Sequence, residues 1–245
     1  VNWGTEDHPS VVIYCGPGWE NWSPDQINSH GLGGSETAVA LLAKEMVAKG
    51  MRVTVYGPSE GVWDGVVYRN FQKFNPQAGC YLFVSWRNPR MFDQPIAAAR
   101  KALWIHDTDY RELVTEDRMK QVDAVWCLSE WHKQHLAEMY PYIADRLVII
   151  GNGIDPKRFD GEEVRDPKRV VYSSSPDRGL EELLAYWPEI RRAVDGVTLD
   201  IFYDWTNFDL MNGPQDYKAK IQQAAQQVGV NWCGRVGQKA LAVEL

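Results

Sequence analysis

The stretch HGLGGSETAVALLAKEMVAKG, residues 30–50, decides which fold this sequence encodes. Gly33 and Gly34 precede Ser35, an apolar face at helical spacing follows, and Gly50 closes the run. The spacing predicts a helix over 35–49 whose free N–H groups and positive dipole end lie at the glycines. Such a loop suits a phosphate or a sugar phosphate. The alternative is a simple helix start with Ser35 as its N-cap.

Short apolar runs alternate with helical patterns along the rest of the chain. Continuous Val, Ile, Leu and aromatic runs separated by helices are typical of a parallel sheet covered on both faces. The predicted fold class is therefore α/β, with two Rossmann-like doubly wound parallel-sheet domains. In the first half we expect strands at 10–15, 52–56, 81–85, 101–105, 124–128 and 146–150, and further helices at 110–120 and 130–140.

A polar stretch with two prolines interrupts this alternation at 155–168 and is typical of an interdomain linker. We predict domains over 1–157 and 169–245, with the linker at 158–168. The second half has strand patterns at 169–174, 198–203 and 231–233, and helical patterns at 215–228 and 238–245. Ser175 and Pro176 are expected to start another helix, which Pro188 should kink or break.

The second domain is expected to be incomplete, because a doubly wound half normally holds five or more strands. We therefore expect that the sequence is truncated or that another chain completes it.

Composition narrows the class of protein. The chain has 245 residues and a net charge of −7, which argues against a nucleic-acid partner because such partners need a basic face. No apolar stretch approaches the ~20 residues that span a bilayer, and the N-terminus lacks the pattern of a signal peptide. Four widely spaced cysteines, Cys15, Cys80, Cys127 and Cys233, fit reduced structural thiols and a cytoplasmic location. Eleven tryptophans suit either a core or a concave site for a flat or polyhydroxylated ligand.

Two common nucleotide motifs do not fit the glycine loop. A dinucleotide fingerprint should open directly off the first strand and have an acidic residue after the second. Here the glycines come well after the first predicted strand, and the second ends in Tyr56-Gly57. No Gly-Lys-Ser/Thr follows, so a P-loop is excluded as well.

Five segments together resemble the retaining, nucleotide-sugar-dependent glycosyltransferases of family 4 (group 1). They are GGSE (33–36), WIHD (104–107), CLSEWHKQHL (127–136), IGNGID (150–155) with Phe159, and SSSPDRGLEELL (173–184). The segments occur in family order and cover essentially the whole chain. The resemblance implies a GT-B fold of two Rossmann-like domains. It also implies transfer of a sugar from a nucleoside-diphosphate donor with retained anomeric configuration.

The resemblance assigns roles to residues of the first half. It implies that Gly33, Gly34 and Ser35 lie over the donor phosphates and the acceptor. His106 matches a family histidine that contacts the transferred sugar, and it is our candidate catalytic residue.

The resemblance assigns the remaining roles to the second half. Arg178 matches a cation that pairs with the diphosphate and would stabilise the charge of the leaving group. Ser173 and Ser174 stand where the family often has a second cation, so hydroxyl donors would substitute. Arg235 and Val236 match the stretch that lines the nucleobase pocket. Asn152-Gly153 matches the turn at the domain junction, where a structural role is expected.

Asp107-Thr108-Asp109 offers a different interpretation, since a D-x-D after a strand can hold Mn²⁺ or Mg²⁺ against a diphosphate. The repeated Rossmann pattern favours the metal-independent alternative. We expect no metal and no cofactor, with a nucleoside-diphosphate sugar as donor substrate.

The E-x₇-E glutamate pair of the family is absent up to Leu245. Two hypotheses therefore stay open. The first is a glycosyltransferase of polysaccharide biosynthesis, weakly active or inactive as this chain. Its acceptor would be a glycan or a lipid-linked sugar, the latter requiring peripheral membrane contact. The second is a non-catalytic nucleotide- or glycan-binding protein, forming a homodimer through its exposed sheet edge.

Overall fold

The computed structural model describes residues 4–5, 8–18, 20–159, 161, 165–211 and 213–245. The chain forms two compact units. The first comprises Val1–Pro24 and Gly33–Ile154, and the second comprises Asp25–Leu32 and Asp155–Leu245. The segment Asp25–Leu32 contains a short helix, α1 (Gln26–Ser29). Although this segment lies early in the sequence, it packs with the second unit. Residues 160 and 162–164 of the predicted linker lie outside the described residues.

Nine strands of the described residues form the sheet of the first unit. They are β1 (Gly4–Thr5), β2 (His8–Tyr14), β3 (Arg52–Gly57), β4 (Gly61–Trp63), β5 (Val66–Asn70), β6 (Cys80–Trp86), β7 (Ala98–Trp104), β8 (Ala124–Cys127) and β9 (Leu147–Ile149). Their order in the sheet is β4-β5-β3-β2-β6-β7-β8-β9, with β1 paired to β2. Neighbours are parallel except in the pairs β1–β2 and β4–β5. Successive strands run outward in both directions from β2, so β2 and β6 frame a topological switch point. Ligands bind at that position in open α/β sheets.

The first unit contains three α-helices within the described ranges: α2 (Gly34–Ala48), α3 (Glu116–Met119) and α4 (Glu130–Met139). Short 3₁₀ helices span Phe71–Lys73, Pro89–Asp93, Arg111–Leu113 and Pro141–Arg146. The predicted helix over 110–120 is wrong as one element. Val114 and Thr115 are extended, and the Thr115 hydroxyl accepts from the N–H of Arg118, so α3 begins anew there.

The hairpin β4–β5 was not predicted from the sequence. Its turn is Asp64-Gly65, with φ of 50° and 78°. An Asp-Gly pair with both residues in the left-handed region is typical of a two-residue hairpin turn. The signal was therefore present in the sequence.

The two faces of the first sheet are packed differently. Helix α2 lies on β3 with its small residues Ala38, Val39 and Ala43 buried. On the other face a large apolar cluster is centred on Phe83 and Leu103, against which α3 and α4 contribute Met119 and Leu136. This packing fixes the carboxyl ends of the strands, where the candidate site lies.

The second unit contains a three-stranded parallel sheet within the described residues, in the order β10 (Arg169–Tyr172), β11 (Thr198–Ile201) and β12 (Val230–Trp232). Its remaining helices are α5 (Leu180–Ala193), α6 (Thr206–Leu210), α7 (Gln215–Ala224) and α8 (Gln238–Glu244), and a 3₁₀ helix spans Pro156–Phe159. Leu184, Trp187, Leu199 and Ile221 form the centre of its core. The predicted α/β class with Rossmann-like units is confirmed.

Helix α5 corrects two predictions. It begins after Gly179, which has a φ of 98° that favours glycine, and Ser175 is therefore not its N-cap. It also runs through Pro188 as one helix, so the predicted break is wrong, whereas the alternative of a kink stays a prediction. A proline leaves the carbonyl four residues earlier without its helical donor. That carbonyl, Leu184 O, instead accepts from the side-chain amide of Gln227 at 2.8 Å.

Two predictions from composition can be compared with the structure. The four cysteines are free, and Cys15, Cys80 and Cys127 are buried whereas Cys233 is exposed. Among the described helices, none combines the length and the apolar character that a membrane span requires.

Candidate functional site

The loop that follows β2 opens the switch point of the first unit. Gly16 and Gly18 have φ of 71° and 67°, which L side chains rarely adopt. A Cβ on Gly18 would lie 3.7 Å from Nε1 of the buried Trp22, and one on Gly57, at the end of β3, would lie 3.8 Å from the same indole. This loop was not identified from the sequence as part of the candidate site. Its signal was a pair of glycines directly after the first predicted strand.

The N-terminus of α2 lies in the same unit as this loop. Gly33 is the N-cap residue, so Ser35 is inside the helix rather than its cap. A Cβ on Gly33 would lie 2.3 Å from Oε2 of Glu36, which shows that the Glu36 carboxylate folds back over the helix start. This carboxylate already occupies the positive end of the helix dipole. A phosphate at Gly33, Gly34 and Ser35 would therefore have to displace Glu36.

His106 lies two residues beyond the end of β7. Its ring centroid is 4.7 Å from that of Trp104 and 5.9 Å from that of Trp86, the residues that end β7 and β6. Burial lowers its pKa to about 4, and the positive charge of Arg87 contributes in the same direction. Its Nε2 is enclosed and has no hydrogen-bond partner in the described part of the chain. At neutral pH the imidazole is therefore uncharged, and its Nε2 is both shielded from solvent and without a partner among the described residues.

Asp107 forms a two-point ion pair with Arg87, at 2.8 Å from Nε to Oδ2 and 2.9 Å from Nη2 to Oδ1. The hydroxyl of Tyr110 also donates to Oδ2 of Asp107 at 3.0 Å. Burial lowers the pKa of Arg87, but the hydrogen bonds and charge of Asp107 outweigh that effect and raise it. Arg87 has a φ of 57°, which is unusual for an arginine. It directly follows β6, and its position after a predicted strand could have identified it.

Two histidines of α4 hold the loop that carries Asp107. The backbone N–H of Leu128 donates to Nδ1 of the buried His132 at 3.2 Å, so Nε2 carries the proton that is donated to Asp107 O at 3.1 Å. Nε2 of His135 lies 2.8 Å from Thr108 O. Both carbonyls are thereby fixed to the same helix. Burial lowers the pKa of His132, which matches a neutral ring with one acceptor and one donor.

The two carboxylates of the D-x-D pattern face different arginines. Asp107 pairs with Arg87, whereas Asp109 pairs with Arg111 at 2.6 Å. The described residues contain no group of three or more His, Cys, Asp or Glu side chains placed to hold a metal ion. The D-x-D interpretation and the expectation of no metal both stay predictions.

In the second unit, the predicted phosphate-binding residues lie in the loop after β10. Ser173 is exposed and Ser174 is half-buried. Arg178 is exposed, and its guanidinium makes no ion pair with the described residues. It stands directly before Gly179 and the N-terminus of α5. Serine hydroxyls, an unpaired cation and the free N–H groups of a 14-residue helix are thus adjacent along the chain.

Arg235 and Val236 pack against the segment Asp25–Leu32. Nη2 of Arg235 donates to Gly31 O at 2.8 Å. A Cβ on Gly31 would lie 2.5 Å from Val236 O, and a Cβ on Gly237 would lie 2.0 Å from the carbonyl oxygen of Asn28. Only glycine at positions 31 and 237 therefore permits the backbones of the two segments to lie this close. Part of the Arg235 guanidinium is therefore engaged in holding this segment, a contact that the sequence did not predict.

The predicted site residues thus form two groups. Gly33, Gly34, Ser35 and His106 belong to the first unit, and Ser173, Ser174, Arg178, Arg235 and Val236 belong to the second. The structure adds Arg87, Glu36 and His132 to the first group. Their assigned roles in binding and catalysis stay predictions.

Comparison with known proteins supports the fold. No family model and no curated protein matches the chain in sequence. Among solved structures, the chain resembles a sucrose-phosphate synthase from Thermosynechococcus elongatus, with 12% identity, a TM-score of 0.69, and coverage of 97% of this chain and 73% of that one. A glycosyltransferase from Rickettsia africae has 12% identity, a TM-score of 0.63, and coverage of 96% and 70%.

A third similar structure is Anabaena HepE in complex with UDP and glucose, with 13% identity, a TM-score of 0.58, and coverage of 96% and 71%. At these identities the likeness concerns the fold. The chain has the α/β fold of these glycosyltransferases, as the GT-B prediction required. The finer prediction, family 4 with a retaining mechanism, stays a proposal.

Proposed function

We propose that this chain is a nucleotide-sugar-dependent glycosyltransferase of the retaining family 4 type, with a glycan or a lipid-linked sugar as acceptor. The observation that supports it most is the neutral, partner-free imidazole of His106 at the carboxyl edge of a sheet with a glycosyltransferase fold. Ligand sites of open α/β sheets lie at this edge. The motifs from GGSE to SSSPDRGLEELL supply the second, independent support.

In this proposal the first unit binds the transferred sugar and the acceptor. With a pKa of about 4, His106 is neutral at physiological pH and binds a sugar hydroxyl as a hydrogen-bond partner rather than as a cation. Because Nε2 is enclosed, the loop of His106 would have to shift before a sugar hydroxyl could supply the partner that Nε2 lacks. The Arg87–Asp107 pair and His132 keep the histidine loop in place. Positioning of this kind lowers the barrier by removing the entropy cost of alignment.

The second unit would bind the donor diphosphate. Arg178, the hydroxyls of Ser173 and Ser174 and the N-terminus of α5 form a set of donors suited to an anion. During transfer the bond from the anomeric carbon to the diphosphate oxygen breaks, and its electron pair leaves with the diphosphate. The acceptor hydroxyl oxygen bonds to the anomeric carbon, and its proton passes to an oxygen of the departing diphosphate. The donor set stabilises the charge that develops on the diphosphate. Arg235 and Val236 would line the nucleobase pocket.

Thermal stability with added nucleotides tests this proposal. UDP, GDP, ADP and their glucose conjugates are added separately to the 245-residue protein, with and without EDTA, and the unfolding midpoint is measured. A ligand at 100 times its Kd adds about 2.7 kcal/mol of stability, which shifts the midpoint measurably. We test UDP first, because HepE was solved with UDP and glucose.

We expect one nucleotide to raise the midpoint equally with and without EDTA. The Arg178→Ala variant should lose the shift, whereas Arg192→Ala, an exposed arginine at the end of α5, should keep it. A shift that EDTA abolishes would contradict metal-independent binding. No shift with any nucleotide would contradict donor binding by this chain.

A further inference from the structure

Trp131 is the one tryptophan of the described ranges that is exposed, with 63% of its surface accessible. The remaining described tryptophans are buried or half-buried. Trp131 lies in the first turn of α4 and does not belong to the apolar cluster beneath that helix. Folding therefore does not account for this large aromatic side chain on the surface.

The indole is held in a fixed orientation. The ring of His135 stacks on it with centroids 5.1 Å apart and planes 6° from parallel. His135 is itself fixed, because its Nε2 lies 2.8 Å from Thr108 O. Trp131 and His135 thus form a rigid flat surface, and a ligand that stacks on it loses little entropy to side-chain ordering.

This surface is close to the candidate catalytic histidine. Thr108 is two residues from His106, so their Cα atoms are at most about 7 Å apart even in an extended chain. Helix α4 begins directly after β8, so its first turn lies at the same carboxyl edge of the sheet as the loop of His106. A chain of contacts from the loop of His106 through Thr108 and His135 thus leads to the Trp131 surface.

The surroundings of Trp131 are polar. Glu130 and Gln134 are exposed beside it on α4, and the Asp109–Arg111 pair is exposed on the loop that His135 contacts. A protein or lipid partner would need a larger apolar patch. A single aromatic face bordered along α4 by a carboxylate and an amide instead suits a sugar ring, whose C–H face stacks on the indole while its hydroxyls form hydrogen bonds.

We propose that Trp131, stacked on His135, is a carbohydrate-binding platform for a sugar unit of the acceptor adjacent to the unit that reacts. This inference rests on the proposed function and makes it more specific, because it requires an acceptor of at least two sugar units. The transferred sugar is bound elsewhere, at His106.

Affinity electrophoresis of the native 245-residue protein tests the platform. Gels contain soluble dextran, laminarin, galactomannan or xylan, and the retardation relative to a gel without polysaccharide gives the dissociation constant. The variants are Trp131→Ala and, as a matched control, Tyr186→Ala, which removes an aromatic side chain of 62% exposure from α5 in the second unit. Sedimentation with phosphatidylglycerol vesicles is run in parallel.

We expect at least one polysaccharide to retard the wild type, with about tenfold weaker binding for Trp131→Ala and unchanged binding for Tyr186→Ala. Retardation by none of the four, or equal retardation of wild type and Trp131→Ala, would overturn the platform. Binding to vesicles that depends on Trp131, without binding to polysaccharide, would also overturn it. The nucleotide-induced midpoint shift is measured on the same proteins. A nucleotide-induced shift in the wild type, without retardation of the wild type by any polysaccharide, refutes the platform alone and leaves the proposed function standing.

Discussion

The pKa of His106 makes a quantitative prediction about stability. In the folded chain the pKa is about 4, against an ordinary value of 6.5. Between these values the unfolded chain binds a proton that the folded chain does not, so the free energy of unfolding rises with pH and is lost as pH falls. Relative to high pH, this effect of His106 lowers the free energy of unfolding by about 2 kcal/mol at pH 5.0 and by close to zero at pH 7.5.

Urea unfolding at pH 7.5 and pH 5.0, followed by tryptophan fluorescence, measures this effect. The wild type should lose about 2 kcal/mol more on acidification than His106→Asn, which has no imidazole to protonate. His30→Asn is the control for loss of a histidine side chain, because His30 is exposed in the segment Asp25–Leu32 and the loss that depends on His106 should persist in this variant. His132, whose pKa is also lowered by burial, remains in all three proteins and affects them alike.

The result that refutes the reasoning is an equal loss in wild type and His106→Asn. A direct check is the NMR titration of the His106 ring protons. A midpoint near 6.5 would show that the imidazole is solvated, and the proposal of a neutral sugar-binding histidine would lose its basis.

Three further predictions concern contacts that the structure shows. Asp107→Asn leaves its arginine partner without a counter-charge and should lower the unfolding free energy by about 1–3 kcal/mol. Asp109→Asn should change the unfolding free energy much less, because its ion pair with Arg111 is exposed. Equal effects in urea unfolding would contradict the structure. Gly237→Ala places a Cβ against a backbone carbonyl, so hydrogen exchange over residues 25–32 should accelerate at least several-fold, and unchanged exchange would disprove the close packing. Gln227→Ala should lower the unfolding free energy by about 1 kcal/mol in the wild type, because Leu184 O loses its donor. The loss should be smaller in the Pro188→Ala background, where the restored backbone N–H of residue 188 donates to Leu184 O. A coupling energy of zero between the two substitutions would contradict this account.

Much of the fold was predictable from local pattern. The glycine pair before an amphipathic run gave α2 within one residue at each end, and the apolar runs gave every parallel strand of the first sheet except β5. The alternation also indicated the α/β class. These features are local, because side-chain periodicity and backbone freedom act over a few residues. The wrong predictions concerned helix starts, where one local signal competed with another. Thr115 ended one helix pattern with a new N-cap, and Gly179 replaced Ser175 at the start of α5.

The candidate site was only partly predictable. His106 was identified from its motif, and Arg87 and Gly16 could have been found from their positions after predicted strands. Glu36 was visible in the sequence, but nothing there showed that its carboxylate folds back over Gly33. The role of His132 as the residue that fixes Asp107 O depends on the packing of α4 against β9, which no sequence spacing encodes.

By itself, the sequence determined the alternation of strands and helices, the glycine-led start of α2 and the order of the glycosyltransferase-like motifs. Tertiary structure alone decided that Arg87 pairs with Asp107, that Gln227 satisfies the carbonyl freed by Pro188, and that residues 25–32 pack with the second half of the chain. The reason is physical. Backbone conformation depends mainly on residues that are adjacent in the sequence. A buried charge or an unpaired carbonyl instead forms a hydrogen bond with a group that tertiary packing places nearby, however distant that group is in the sequence.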